Sequence, residues 1–238
     1  MHEGQLDQAM EQYLEVLRIN PRDVDCLVNV GNALFGRGRY DEAAGYYKRA
    51  LEVNPNSPEA HSNLAVILAN QGRIDEAIEH DRQALVGNPN HLTAHSNLAV
   101  LLARQGRYSE ALEHYEKALE INPEQPLTHI NLAIALNALG RTNEAKAHYL
   151  RAAATVNQHA RELAQQGRMD AAAEQYRQLI QMLPDNPDAH FGLGLVLEQQ
   201  GKRSEAREEF SEALRLRPNY PEADRELQKL GGIRIIKH

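Results

Sequence analysis

A triplet returns every 34 residues along this chain: Asn29-Val30-Gly31, Asn63-Leu64-Ala65, Asn97-Leu98-Ala99 and Asn131-Leu132-Ala133. Small residues follow on the same beat, first Ala43, Ala77, Ala111 and Ala145, then Ala50, Ala84, Ala118 and Ala152. Three of the four units then place a proline, at Pro55, Pro89 and Pro123. A fixed period of this length marks a repeat architecture, in which each unit buries its apolar face only against its neighbours. It overrides what 238 residues would otherwise imply, one large or two small domains.

Counting each unit from Val24, Pro58, Leu92 and Pro126, apolar or small residues fall at places 4, 7, 8 and 11, as in Leu27, Val30, Gly31 and Leu34. That spacing is one face of a helix. Gly38, Gly72, Gly106 and Gly140 then end the helix, because glycine takes the left-handed cap without steric cost. Asp41, Asp75, Ser109 and Asn143 are the expected N-caps of a second helix. That helix carries Ala43, Tyr47 and Ala50 and stops at Asn54-Pro55, since a residue before proline avoids the helical region.

These residues resemble the tetratricopeptide repeat: small residues at places 8, 20 and 27, an aromatic at 24, proline at 32. Tyr47, Tyr115, Tyr149, Tyr176 and Phe210 match the aromatic; Asp81 departs from it, so its helix pair is expected to be less tightly wedged. The resemblance covers nearly the whole chain. It implies an all-α fold, a right-handed α-α superhelical solenoid of helix pairs whose first helices line an inner concave surface.

The expected organisation is a half repeat at 1–23, repeats at 24–57, 58–91, 92–125, 126–152, 153–186 and 187–220, a capping helix at 221–231 and a frayed tail at 232–238. In the half repeat, Leu6, Ala9, Tyr13, Val16 and Pro21 align with a second helix, so the chain is expected to be cut from a longer one. Between repeats four and five the landmarks Gly167, Ala172, Tyr176 and Pro184 come seven residues early. Ala145, Tyr149, Ala152, Val156, Ala160 and Leu163 keep helical spacing across the join, predicting one shared helix from about Asn143 to about Gln165. A trimmed loop is the rival explanation.

The net charge of −7, with no basic run, argues against a nucleic-acid partner. No stretch approaches the roughly 18 apolar residues of a membrane span. Cys26 is the lone cysteine and stands where other repeats hold Ala60, Ala94 and Thr128, a packing position. No residue fixes the compartment; a cytoplasmic setting is the expectation. Eleven histidines raise the question of metal. His61, His95, His129 and His190 share place 4, and His80, His114 and His148 share place 23. Equivalent places on neighbouring helices sit about 8–10 Å apart, whereas zinc ligands converge to about 2 Å. Packing is therefore expected of them, and no metal or cofactor. No nucleophile–base pair or phosphate loop stands out, so no enzyme is expected within the chain.

The functional candidates are asparagines. Asn29, Asn63, Asn97 and Asn131 occupy place 6, which in the family points into the groove. An amide offers an acceptor and two donors, and so pairs with both the C=O and N–H of an extended backbone. The row resembles the asparagine ladder of the repeat region of O-linked N-acetylglucosamine transferases; solvated asparagines common to the family are the plainer alternative. Asn32 stands beside the row, with Val28, Phe35, Val66, Val100, Ile130 and Ile134 expected to face the same groove. Gln158 and Gly192 interrupt the row beyond repeat four. Family co-chaperones grip a C-terminal carboxylate with cations; Asp25, Glu59, Thr93 and Leu127 stand here instead, excluding that use. The reading is a scaffold binding a protein or peptide in extended conformation, with self-association open. The alternative is the substrate-recruiting arm of a larger enzyme such as a glycosyltransferase.

Overall fold

The computed structural model describes residues 3–231, with side chains from residue 8. Leu6 and the tail expected at 232–238 lie outside what is described. Among the described residues there are 13 helices and no strand. They fall into two compact units, Met1–Pro123 and Glu124–His238.

The first unit holds α1 (Glu3–Ile19), α2 (Val24–Gly36), α3 (Tyr40–Val53), α4 (Pro58–Asn70), α5 (Ile74–Gly87), α6 (Leu92–Arg104) and α7 (Tyr108–Ile121). The hairpins α2–α3, α4–α5 and α6–α7 stack, and the first helices also touch, α2 with α4 and α4 with α6. Asp23, Ser57 and His91 cap the first helices, each side chain accepting from the backbone N–H three residues on. Gly38, Gly72 and Gly106 turn the chain at φ of 74, 78 and 76°.

The second helices differ from expectation at their starts. They begin at Tyr40, Ile74 and Tyr108, one residue before Asp41, Asp75 and Ser109, so those residues do not cap them. Arg39, Arg73 and Arg107 hold the N-cap positions, with no side-chain cap hydrogen bond. Asp41 and Asp75 instead accept hydrogen bonds across the stack, from Gln71 Nε2 (3.3 Å) and Gln105 Nε2 (2.8 Å). Val16 also departs from its expected landmark role: it is exposed, while Leu17 is buried.

The second unit holds α8 (Pro126–Ala138), α9 (Thr142–Gln165), α10 (Met169–Met182), α11 (Pro187–Gln199), α12 (Arg203–Leu216) and α13 (Pro221–Lys229). Thr142, not Asn143, opens α9. This helix runs unbroken for 24 residues. It packs on α8, α10 and α11, and its later residues Ala153, Val156, Ala160 and Leu163 join a core that continues through Tyr176, Leu193, Phe210 and Leu227. Ala223 and Leu227 of α13 close that core at its end.

Small residues are needed where rings arrive. A Cβ at Gly31 would sit 2.5 Å from the Tyr47 ring, and one at Gly194 would sit 2.5 Å from Phe210. Tyr47, Tyr115, Tyr176 and Phe210 are all buried, whereas Tyr149 is half-buried.

Candidate functional site

Place 6 puts Asn29, Asn63 and Asn97 at one register of the three contacting helices α2, α4 and α6, and all three are half-buried. Asn131 occupies the same place on α8 of the second unit, also half-buried. Val66, Val100 and Phe35 are partly exposed, and Ile134 on α8 is 52% exposed. Phe35 stacks edge-on against Tyr40 at 5.1 Å. Val28 and Ile130 are a correction: both are buried, at 7% and 5% exposure, and do not face the open side. They stand at place 5, one turn from the small residue of place 8, and so share its packing seam.

The asparagines are not equivalent. Asn29 and Asn131 make no side-chain hydrogen bond. Asn63 Nδ2 donates to Asn32 Oδ1 at 2.8 Å, and the Tyr47 hydroxyl donates to the same oxygen at 2.8 Å. Asn32 Oδ1 is thus shared by two neighbours, while the residue is exposed and its Nδ2 makes no side-chain hydrogen bond. Asn97 faces inward to Asp81, which is fully buried.

Asp81 corrects the expectation of a loosely wedged pair. Ala77, Ile78 and Ala84 of α5 and Leu64, Ala65 and Leu68 of α4 are all buried around it. The cost is electrostatic instead. Burial pushes the Asp81 carboxyl up to about 8, against smaller opposing effects of Asn97 and Ser62. Those two side chains lie beside it without completing hydrogen bonds of good geometry: both Asp81 oxygens, Ser62 Oγ and Asn97 Nδ2 are buried and unpaired.

The histidines pair within each hairpin. His61 Nδ1 meets His80 Nδ1 at 2.8 Å, His95 meets His114 at 3.0 Å, and His129 meets His148 at 2.9 Å. The other nitrogen of His61 and of His95 faces a carbonyl, Pro55 O and Pro89 O, both at 2.9 Å. A carbonyl only accepts, so each Nε2 carries the proton and each Nδ1 accepts from its partner ring. Burial and the facing imidazole hold His80 and His114 below the usual histidine range. In α11–α12 the partner is Glu209, 2.6 Å from His190 Nδ1, while His190 Nε2 faces Pro184 O at 3.0 Å. Both nitrogens then donate, and the Glu209 hydrogen bond raises the His190 pKa. Two nitrogens do not make a metal site, and among the described residues no group of three or more His, Cys, Asp or Glu is placed to hold an ion. Each pair joins place 4 to place 23, 19 residues on and across the hairpin, a contact that spacing within one helix does not reveal.

On the second unit the corresponding face is polar. A depression of about 660 Å³ is lined by Ala154, Asn157, Gln158, Arg161, Glu162, Gln165 and Asp188.

Models of the tetratricopeptide repeat match residues 28–91 and 157–221, residues 93–125 and residues 114–147. The chain belongs to the tetratricopeptide repeat family. Solved structures of similar fold include MamA, at 23% identity and TM-score 0.58, covering 67% of this chain and 93% of that one. YrrB, described as a TPR protein with an unusual peptide-binding site, matches at 18% identity and TM-score 0.53 over 92% of this chain and 99% of that one. A tetratricopeptide repeat protein from Parabacteroides merdae matches at 19% identity and TM-score 0.54 over 97% of this chain and 94% of that one. No curated protein matches the chain significantly. No described helix is long and apolar enough to cross a membrane.

Proposed function

We propose that this tetratricopeptide array is an interaction module that captures an extended polypeptide along the face carried by α2, α4 and α6. The observation that carries the reading is the register of Asn29, Asn63 and Asn97 on three contacting helices, half-exposed and flanked by Phe35, Val66 and Val100. Packed helices lie about 8–10 Å apart. An extended strand rises about 3.3 Å per residue, so one asparagine falls opposite about every third residue of a bound chain. Amides would hold the main chain while the valines and Phe35 receive side chains between them. Asn32 braces Asn63 through Oδ1 and, exposed beside the row, offers its Nδ2 to the partner. Asn131 and Ile134 place the same residue types on α8 of the second unit. The likeness to YrrB, a TPR protein with an unusual peptide-binding site, supports the class of partner, and the acidic balance of the chain favours protein over nucleic acid.

The same row resembles the asparagine ladder of O-linked N-acetylglucosamine transferases, which favours a second reading, a recruiting arm for a larger enzyme. We assign the chain no catalysis of its own in either case.

The test is a peptide selected on the parent chain from a random display library, then remade with one backbone N-methyl group at each position in turn. We expect affinity to fall at about every third amide. A library without binders, or a binder indifferent to methylation throughout, overturns the reading.

A further inference from the structure

We infer that Asp81 is a positioning residue for the asparagine face: its carboxyl group holds the Asn97 amide from beneath and sets which end of that amide meets a bound main chain. This deepens the reading above and rests on it for its effect on binding, but not for the contact itself.

Place 24 of one repeat lies against place 6 of the next in two hairpins and is linked to it through Asn32 in a third. Tyr47 reaches Asn32, which holds Asn63. The Tyr176 ring lies against Gly192 so closely that a Cβ there would overlap it, so no side chain is presented. Asp81 stands in the ring's place and meets Asn97. Of these three place-24 side chains, only Asp81 changes charge near neutrality.

The polar atoms around Asp81 have no other outlet. Both of its oxygens, the Ser62 hydroxyl and Asn97 Nδ2 are buried and unpaired, and Ser62 and Asp81 have no exposure at all. Buried polar groups left unmade cost about 1–3 kcal/mol each, so they turn to one another. The groups that act on Asp81 are Ser62 from α4 and Asn97 from α6; no charged side chain does. Its neighbours on α5 are engaged elsewhere, His80 with His61, while Arg82 is exposed.

The chemistry follows from proton count. An ionised carboxylate only accepts, so Asn97 must turn its Nδ2 inward and offer its carbonyl to a partner. A protonated carboxyl carries an O–H that donates to Asn97 Oδ1 and permits the reverse orientation. Because burial holds the proton up to about pH 8, the change falls in mildly alkaline solution.

The experiment records the side-chain amide resonances of Asn97 and Asn63 from pH 6 to about pH 9.5, in the parent chain and in Asp81→Asn. The Asn97 signals are expected to move with a midpoint near 8 in the parent and to stay flat in Asp81→Asn. Asn63, held by Asn32, is the internal control. Asp81→Tyr restores the residue type of neighbouring hairpins and secures the comparison should Asp81→Asn fold poorly. The display-selected peptide is expected to change affinity about threefold or more over the same interval in the parent only. Flat Asn97 signals while the Asp81 carboxyl carbon titrates overturn the inference, as does an Asp81 that titrates in the ordinary carboxylate range. Coupled Asn97 signals with a pH-independent affinity keep the contact and overturn its role in binding.

Discussion

In the first unit, places 4 and 23 hold the histidine pairs His61–His80 and His95–His114; in the last full hairpin of the second unit the same places hold His190 and Glu209. Place 6 differs as well. The first unit carries Asn29, Asn63 and Asn97, whereas the second passes from Asn131 to Gln158 and then to Gly192. The packing landmarks do not change: Ala43, Ala77, Ala111, Ala172 and Ala206 are all at 0% exposure. The fold is therefore held by small residues and rings, and the remaining places are free to vary in charge and hydrogen bonding. Two regions of one architecture end with different surface chemistry.

The largest expected effect separates the units by stability. Asn157→Pro breaks α9 near its middle at about 3 kcal/mol or more, because proline removes a backbone donor and clashes with the preceding turn. Hydrogen exchange should report lost protection in the second unit, where Ala153, Val156, Ala160 and Leu163 enter the core, and unchanged protection in α4 and α6. Equal loss in both would show that the units do not behave separately.

The next effect contrasts Asp81 with Tyr176 at place 24. The folded chain holds the Asp81 proton up to about pH 8, against 3.8 for the free group. A raised carboxyl binds more protons folded than unfolded, so stability falls as pH rises between those values. Between pH 6 and pH 8 the loss is about 2 kcal/mol, at about 1.4 kcal/mol for each pH step. Denaturant unfolding of Asp81→Asn should lack this slope; a slope that persists assigns it to other groups.

How much of this was legible in the residues depends on whether a side chain acts within its own helix or across the stack. Helical spacing through Val156 and Leu163 predicted a helix across the join, and α9 spans Thr142–Gln165. Glycine at place 15 predicted the left-handed turn found at Gly38, Gly72 and Gly106. Contacts between neighbours were not legible. Period alone could not show that Val28 and Ile130 turn inward, that Asp41 serves Gln71 rather than its own helix, that Asn63 pairs with Asn32, or that Asn97 lies beside Asp81. Those depend on how one hairpin seats on the next, which sets register across 15 to 31 residues of chain.

The histidines give a smaller effect, of opposite sign in the α4–α7 hairpins and in α11–α12. His80 and His114 are depressed, so their neutral forms favour folding and stability is lost as pH falls below the unfolded value of about 6.5. His190 is raised by Glu209, so its stabilisation is complete below about 6.5 and is lost as pH rises through its folded value. His80 and His114 are partly exposed and His190 is buried beside a half-buried partner, and roughly 0.5–1 kcal/mol is expected. Glu209→Gln should destabilise the chain at pH 5.5 and do little at pH 9. His80→Gln should reduce the acid sensitivity instead. The same pH response in both variants would erase the distinction between the units.

The central claim is that the first unit's asparagine face binds main chain, and one titration addresses it directly. Asn29 has no side-chain hydrogen bond to lose, so Asn29→Ala leaves the packing intact and removes only what a partner would contact. A display-selected peptide should bind Asn29→Ala roughly tenfold more weakly than the parent at an unchanged melting temperature, while Gln158→Ala on the second unit binds as the parent does. Equal affinity for Asn29→Ala and the parent, or an equal loss in Gln158→Ala, contradicts the account.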